Sequence, residues 1–184
     1  KKLLITSLLL ILVSGIETAA QTSNENYVTT HAARIATSGS LSGISNPDQV
    51  IRSTQYYDGL GRPIQNVIRK GSSGKNKDLI TQTRYDDYGR QHINYLPYTF
   101  THATEPGNYH DNWETKIDDF YQPGTDNDVA DENTFYYNEK VFEPSPLNRL
   151  EKSYGSGGDW RPGNSMNYSY STNAASSIRS FTVS

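Results

Sequence analysis

The sequence contains no cysteine, so no disulfide bond can hold the fold together. It is also poor in hydrophobic residues, which form 34% of the 184 residues, a low share for a globular domain. Its formal charge of −3 gives no electrostatic basis for binding nucleic acid, and we predict no nucleic-acid partner. Stability must therefore come from burial of a small apolar set and from strand pairing.

Common motifs of catalytic and metal sites are missing as well. There is no Gly-x-Ser-x-Gly elbow, and the loop at 70–76 lacks the spacing of a phosphate-binding loop. The acidic stretch 126–132 lacks the glycine and glutamate of a calcium loop. The histidines are not spaced as metal ligands and are predicted to lie at the surface or in turns. They are His31, His92, His102 and His110.

We therefore predict no catalytic residue, no cofactor and no metal, and expect a protein that is not an enzyme. Tyrosine, in contrast, is abundant, with 14 residues against 5 Phe and 2 Trp. A tyrosine-rich chain favours strands with one solvated face.

Two stretches share the pattern Tyr-Asp-x-x-Gly-Arg. Their separation falls within the period of roughly 20–50 residues that is typical of repeat architectures. Aspartate at the first turn position and glycine at the fourth predict a type I turn followed by a bulge that needs φ > 0. The motif residues are Tyr57, Asp58, Gly61, Arg62, Tyr85, Asp86, Gly89 and Arg90.

The tyrosine and arginine of each motif leave the turn on facing strands. We therefore predict that Arg62 lies over the ring of Tyr57, and Arg90 over the ring of Tyr85, as cross-strand neighbours. A degenerate third hairpin is predicted at 142–149, where Phe-Glu replaces Tyr-Asp and Asn-Arg replaces Gly-Arg with two extra residues between them.

One helix is predicted near residues 112–121. Its apolar face would consist of Trp113, Ile117, Phe120 and Tyr121, and Asp111 or Asn112 would cap it through a side chain. The predicted fold class is mainly β, with antiparallel Tyr-Asp hairpins that form a curved sheet and one short helix in an insertion.

The first twenty residues indicate export. Lys1 and Lys2 precede an apolar run at 3–13, and small residues at 18–20 suit a signal peptidase. The run is short for a membrane anchor, because spanning takes about 20 residues. We predict a cleaved signal peptide over residues 1–20 and a protein that is secreted or at the cell surface.

The rest of the chain is predicted to have two parts. Residues 21–46 form a polar segment with a short strand near 27–30, and residues 47–184 form the hairpin repeat domain. Further strands are predicted at 166–170 and 178–183. Because no closing element follows, we expect the natural protein to continue.

The repeated motif resembles the YD repeat of bacterial RHS proteins. The sequence around it resembles the domain of unknown function that begins exported RHS-repeat proteins. The stretches that carry this likeness are 48–51, 57–63, 85–90, 95–98 and 142–149. The resemblance implies a hollow β-shell of YD hairpins around a C-terminal, often toxic, cargo. It implies no catalytic residue at the matching positions. The expected partner is the remainder of the same polypeptide.

A carbohydrate- or cell-surface-binding β module is the alternative. Exposed aromatic rings can stack on sugars, although the same rings can instead fill one side of a sheet. The candidates are Trp113, Trp160, Tyr168 and Tyr170.

Overall fold

The computed structural model describes residues 25–101, 107–122, 135–161 and 163–173. Within these ranges the protein is mainly β, with one open antiparallel sheet and one short α-helix, as the sequence predicts. The helix, α1, spans Trp113–Tyr121. The strands are β1 (Asn26–Ala33), β2 (Val50–Tyr57), β3 (Pro63–Ile68), β4 (Asp78–Arg84), β5 (Ile93–Tyr95), β6 (Tyr98–Phe100), β7 (Tyr137–Phe142), β8 (Leu150–Tyr154) and β9 (Met166–Asn167).

The order of the strands follows the chain across most of the sheet: β1-β2-β3-β4-β5-β7-β8-β9. Strand β4 has two partners on one side, because its first residues pair with β6 and its last residues pair with β5. Pro97 separates β5 from β6, as expected of a residue that cannot donate to the ladder. This meandering order places the turns after β2, β4 and β7 at the same end of the strands.

One face of the sheet is buried. Side chains alternate across a strand, so every second residue of β2, β3 and β4 points to this face. The apolar residues Tyr56, Val67, Ile80 and Tyr98 are fully buried there, and Ile117 from α1 packs against them. The core is thus a single layer of large side chains between the sheet and the helix.

Helix α1 covers this core with the face predicted from the sequence. Ile117 and Tyr121 are buried, and the ring of Trp113 packs edge-on against Tyr95 at 5.0 Å between centroids. The predicted side-chain cap is wrong. Asn112 has a φ of 49° and makes no capping hydrogen bond, because it adopts the left-handed conformation that asparagine tolerates better than most residues.

Strand β1 is longer than the strand predicted at 27–30. Its eight residues pair with all eight of β2, from Asn26 with Tyr57 to Ala33 with Val50. The polar segment therefore contributes a strand to the sheet. Strand β9 is shorter than the strand predicted at 166–170, since its pairing ends at Asn167.

The predicted signal peptide and the predicted strand at 178–183 lie outside the described residues. The division of the chain into a signal, a polar segment and a repeat domain stays a prediction. In the described part of the chain, no helix is both long and apolar enough to cross a membrane.

Candidate functional site

Three turns lie next to each other at one end of the strands. We call them, together with Tyr170, the turn ladder. They are the first turn at 57–62, the second at 85–90 and the third at 142–149. All eight residues of the repeated motif belong to the first two turns.

The first turn is organised by Asp58. The N–H of Asp58 donates to the carbonyl oxygen of Arg62 at 2.9 Å, and the N–H of Gly61 donates to the carbonyl oxygen of Asp58 at 3.0 Å. One carboxylate oxygen accepts the N–H groups of Leu60 and Arg62, and the other accepts Nε of Arg62 at 2.7 Å. Gly61 has a φ of 76°, which favours glycine. The turn predicted at this position is present, and Asp58 also holds the arginine of its own motif.

The second turn repeats this arrangement. Asp86 and Arg90 are joined by a backbone hydrogen bond of 3.0 Å, and the N–H of Gly89 donates to the carbonyl oxygen of Asp86 at 2.8 Å. The Asp86 carboxylate accepts Nε of Arg90 at 2.8 Å, and Gly89 has a φ of 75°. The two motifs therefore fold into the same local structure.

The third turn keeps the plan with other residues. The N–H of Glu143 donates to the carbonyl oxygen of Arg149 at 2.9 Å, and its carboxylate accepts Nε of Arg149 at 2.9 Å. Asn148 takes the place of glycine with a φ of 52°. The longer glutamate also accepts the hydroxyl of Ser145 at 2.7 Å, so the side chain spans the two extra residues. The hairpin predicted at this position is present.

The predicted stacking of arginine on the tyrosine of its own motif is wrong. The guanidinium of Arg62 lies over the ring of Tyr85, at 4.5 Å from its centre, and not over Tyr57. Its Nη1 also lies 3.1 Å from where a Cβ on Gly89 would stand. The contact therefore joins one turn to the next, because pairing of β3 with β4 brings the two turns side by side.

The next two steps of the ladder also contain contacts between turns, although Arg90 lies in addition 4.8 Å from the ring centre of Tyr88 in its own turn. The guanidinium of Arg90 lies 4.8 Å from the centre of the Phe142 ring, and its Nη1 donates to the side-chain oxygen of Asn148 at 3.0 Å. The guanidinium of Arg149 lies 5.1 Å from the centre of the Tyr170 ring. Each arginine is thus held by the carboxylate of its own turn and stacks on an aromatic ring beyond it.

The carboxylates of the ladder are held in the ionised form. Hydrogen bonding from the backbone amide of Arg62 is the main cause that lowers the pKa of Asp58. The side chain of Arg149 is the main cause that lowers the pKa of Glu143 to about 2. The pKa of Asp86 is lowered too: burial, its largest single influence, acts to raise it, but the hydrogen bonds of its turn outweigh burial.

A cluster of buried polar groups around Asp78 was not predicted from the sequence. Asp78 is 1% exposed, and its carboxylate accepts the N–H of Lys70 at 2.7 Å and the N–H of Gly107 at 2.5 Å. Nε2 of His110 lies 3.8 Å from the same carboxylate. Burial acts to raise the pKa of Asp78, but the adjacent His110 and the hydrogen bonds from the two amides hold it below its ordinary value.

The same cluster fixes residues 107–110, which we call the docked segment, to the sheet. The side-chain oxygen of Gln65 accepts the N–H of His110 at 2.7 Å, and its amide nitrogen donates to the His110 carbonyl at 3.0 Å. The amide of Gln65 also donates to Gln82 at 3.0 Å, and the hydroxyl of Tyr56 donates to the Gly107 carbonyl at 3.0 Å. These inward polar residues replace the backbone partners that an irregular segment lacks.

One histidine differs from its prediction. His110 was predicted to lie at the surface or in a turn, but it is fully buried and packs edge-on against Phe100 at 5.4 Å. His102 and the acidic stretch 126–132 lie outside the described residues. Among the residues that are described, no three His, Cys, Asp or Glu side chains come together as a metal site.

The aromatic residues proposed for sugar stacking separate into two groups. Trp113 packs in the core, and Tyr170 carries the guanidinium of Arg149. Tyr170 is nevertheless 53% exposed, and Trp160 and Tyr168 are also at the surface, with 51% and 39% of their area exposed.

The contacts between turns predict a specific energetic coupling. A double-mutant cycle with Arg62→Ala and Tyr85→Ala is expected to give a coupling free energy of about 0.5–1 kcal/mol, as for an exposed cation–π pair. The cycle of Arg62→Ala with Tyr57→Ala is the matched control and is expected to be additive. Urea unfolding of the variants measures both terms. A larger coupling to Tyr57 than to Tyr85 would contradict the observed order of contacts.

Comparison with known proteins identifies the family. Searches of curated proteins and of solved structures found no match for this chain. One family model, described as "Domain of unknown function (DUF6443)", matches residues 28–173, which include β1 from its third residue onward, β2 to β9 and the whole turn ladder. The chain therefore belongs to this family of uncharacterised domains.

Proposed function

We propose that the protein is an exported structural scaffold, the N-terminal segment of an RHS/YD-repeat protein. Its hairpins are YD hairpins, and its sheet curves into the start of a β-shell around a C-terminal cargo. The partner of this sheet is the remainder of the same polypeptide, and the activity of the whole protein belongs to the cargo.

The turn ladder is the observation that carries this proposal. Each turn presents a guanidinium on one side and an aromatic ring on the other, so each unit is complementary to a copy of itself. Arg62 stacks on Tyr85, and Arg90 stacks on Phe142. Units that contact their neighbours in this way add up to long, quasi-one-dimensional assemblies, as in other repeat proteins.

Two further features agree with a β-shell wall that is built from more hairpins of this kind. The third turn replaces Asp-Gly with Glu143 and Asn148 but keeps the closing backbone hydrogen bond and the bond from the carboxylate to the arginine, so the arrangement tolerates sequence change. The sheet is open, with β1 and β9 as the outer strands of the described order. The export signal predicted at 1–20 agrees with a shell that leaves the cell.

The proposal is tested on the full-length gene product. Electron cryo-microscopy is expected to show a hollow shell whose wall contains this sheet, with the turn ladder continued by further hairpins. The coding sequence is expected to contain further Tyr-Asp-x-x-Gly-Arg motifs downstream. A solid particle, or a coding sequence without such motifs, would contradict the proposal.

A further inference from the structure

Trp160 is a large side chain that the fold holds at the surface. It ends the 3₁₀ helix Gly158–Trp160, and 51% of its surface is exposed. The five-membered ring of its indole lies against Gly155, where an added Cβ would meet three ring atoms at 2.8 to 3.0 Å. Because Gly155 has no side chain, the indole rests directly on the backbone, and about half of the residue remains exposed.

The neighbouring Arg161 fixes the loop that carries this indole. Its guanidinium lies 4.6 Å from the ring centre of Phe135, 5.0 Å from that of Tyr137 and 4.8 Å from that of Tyr154. It also forms an ion pair with Glu139. Its Nε and Nη2 are buried and have no hydrogen-bond partner among the described residues, which is unfavourable for a cation. The three rings and the ion pair restrain Arg161 and with it the backbone next to Trp160, and a preorganised binding residue requires such restraint.

A cavity of about 340 Å³ lies beside the indole. It opens on the face formed by β5, β7, β8 and β9, and its volume is at the lower end of the range for small-molecule sites. Antiparallel partners point to the same face, so the pairs Asn94–Asn138, Lys140–Ser153 and Ser153–Met166 place five side chains on one surface. Four of these five are polar.

The chemistry of the lining matches a pyranose ring. Such a ring has one face of C–H groups, which suits the exposed indole, and a rim of hydroxyl groups. The Asn138 amide can donate and accept, Ser153 offers a hydroxyl, and Lys140 adds donors without acceptors. We propose that this surface, the Trp160 pocket, binds one pyranose unit of a cell-surface or extracellular glycan. This site does not depend on the scaffold role.

The test uses the intrinsic fluorescence of the protein. The sequence has two tryptophans, and Trp113→Phe leaves Trp160 as the only indole. Titration with cellohexaose, chitohexaose and hexagalacturonic acid is expected to give a saturable change with at least one of them, with a dissociation constant on the order of 1 mM. No saturable change with any of the three at about 20 mM, well above that constant, would overturn the proposal.

Variants in the otherwise unchanged chain then locate the site by calorimetry. Trp160→Ala is expected to weaken binding at least about tenfold, as for an aromatic anchor. Gly155→Ala keeps the indole but displaces it, because the new Cβ would lie within 3.0 Å of the ring, and it is expected to weaken binding as well. Tyr88→Ala removes a 77% exposed ring at the second turn and serves as the control with unchanged binding. Equal binding by Trp160→Ala and Tyr88→Ala would overturn the proposal.

The charge of the glycan is resolved by one further variant. Lys140→Ala is expected to weaken the binding of hexagalacturonic acid more than that of a neutral oligosaccharide, because the ammonium group lies on the same face as Asn138 and Ser153. An increased affinity for the acidic oligosaccharide on loss of Lys140 would contradict the placement of the ligand over this face.

Discussion

Replacing Asp78 with alanine is expected to lower the free energy of unfolding by about 2–5 kcal/mol, since each buried group left without a partner costs about 1–3 kcal/mol. The carboxylate is 1% exposed and accepts the N–H groups of Lys70 and Gly107. Alanine leaves both amides without this acceptor and removes the carboxylate beside His110. The loss therefore affects the loop before β4 and the docked segment together.

Urea unfolding, followed by circular dichroism, measures this loss. Asp78→Asn is expected to be intermediate, because one carbonyl oxygen remains for two amides. Asp87→Ala, at an exposed position of the second turn, is the matched control and is expected to change stability by less than about 0.5 kcal/mol. If Asp78→Ala were as stable as Asp87→Ala, the docked segment would not be held by this carboxylate.

The turns could be predicted from the sequence because their chemistry is local. Aspartate accepts amides two and four residues further on, and Gly61 and Gly89 supply the positive φ. The third turn could be predicted for the same reason, since Glu143 and Asn148 keep these two roles. Information within six or eight residues was sufficient in all three places.

The partners of the arginines could not be predicted in the same way. Whether Arg62 meets Tyr57 or Tyr85 depends on which strands pair and in what register, and the sequence does not state the register. In the structure, Gln65 of β3 pairs with Gln82 of β4, so the two turns become neighbours. The separation of the two motifs was the available signal, because it predicts that whole units stack on each other.

The buried polar cluster was missed for a different reason. An alternating pattern normally indicates apolar residues inside and polar residues outside. Here Thr54, Gln65 and Gln82 point inward, although each would ordinarily mark a solvated face. Gln65 and Gln82 do so where the irregular docked segment packs on the sheet, and Gln65 supplies the hydrogen bonds of His110. Burial of His110 follows from this packing and not from any pattern around it.

Replacing Gly89 with valine is expected to destabilise the protein by about 1–3 kcal/mol through backbone strain, and by more than Gly61→Val does. Both glycines have a φ near 75°, where a β-branched residue is strained. They differ in surroundings: a Cβ at Gly61 meets nothing within 4 Å, whereas a Cβ at Gly89 lies 3.1 Å from Nη1 of Arg62. Valine at 89 therefore also displaces the guanidinium that stacks on Tyr85.

Thermal and urea unfolding of three variants separate strain from stacking. Gly59→Val is the control, because this tip residue has no positive φ and open space around it, and it is expected to change stability by less than about 0.5 kcal/mol. Gly61→Val adds strain alone, and Gly89→Val adds strain and the loss of the contact between turns. Combining Gly89→Val with Tyr85→Ala should then cost less than the sum of the two, since both remove the same contact. Simple additivity would mean that the ladder consists of independent turns, each stable without its neighbour.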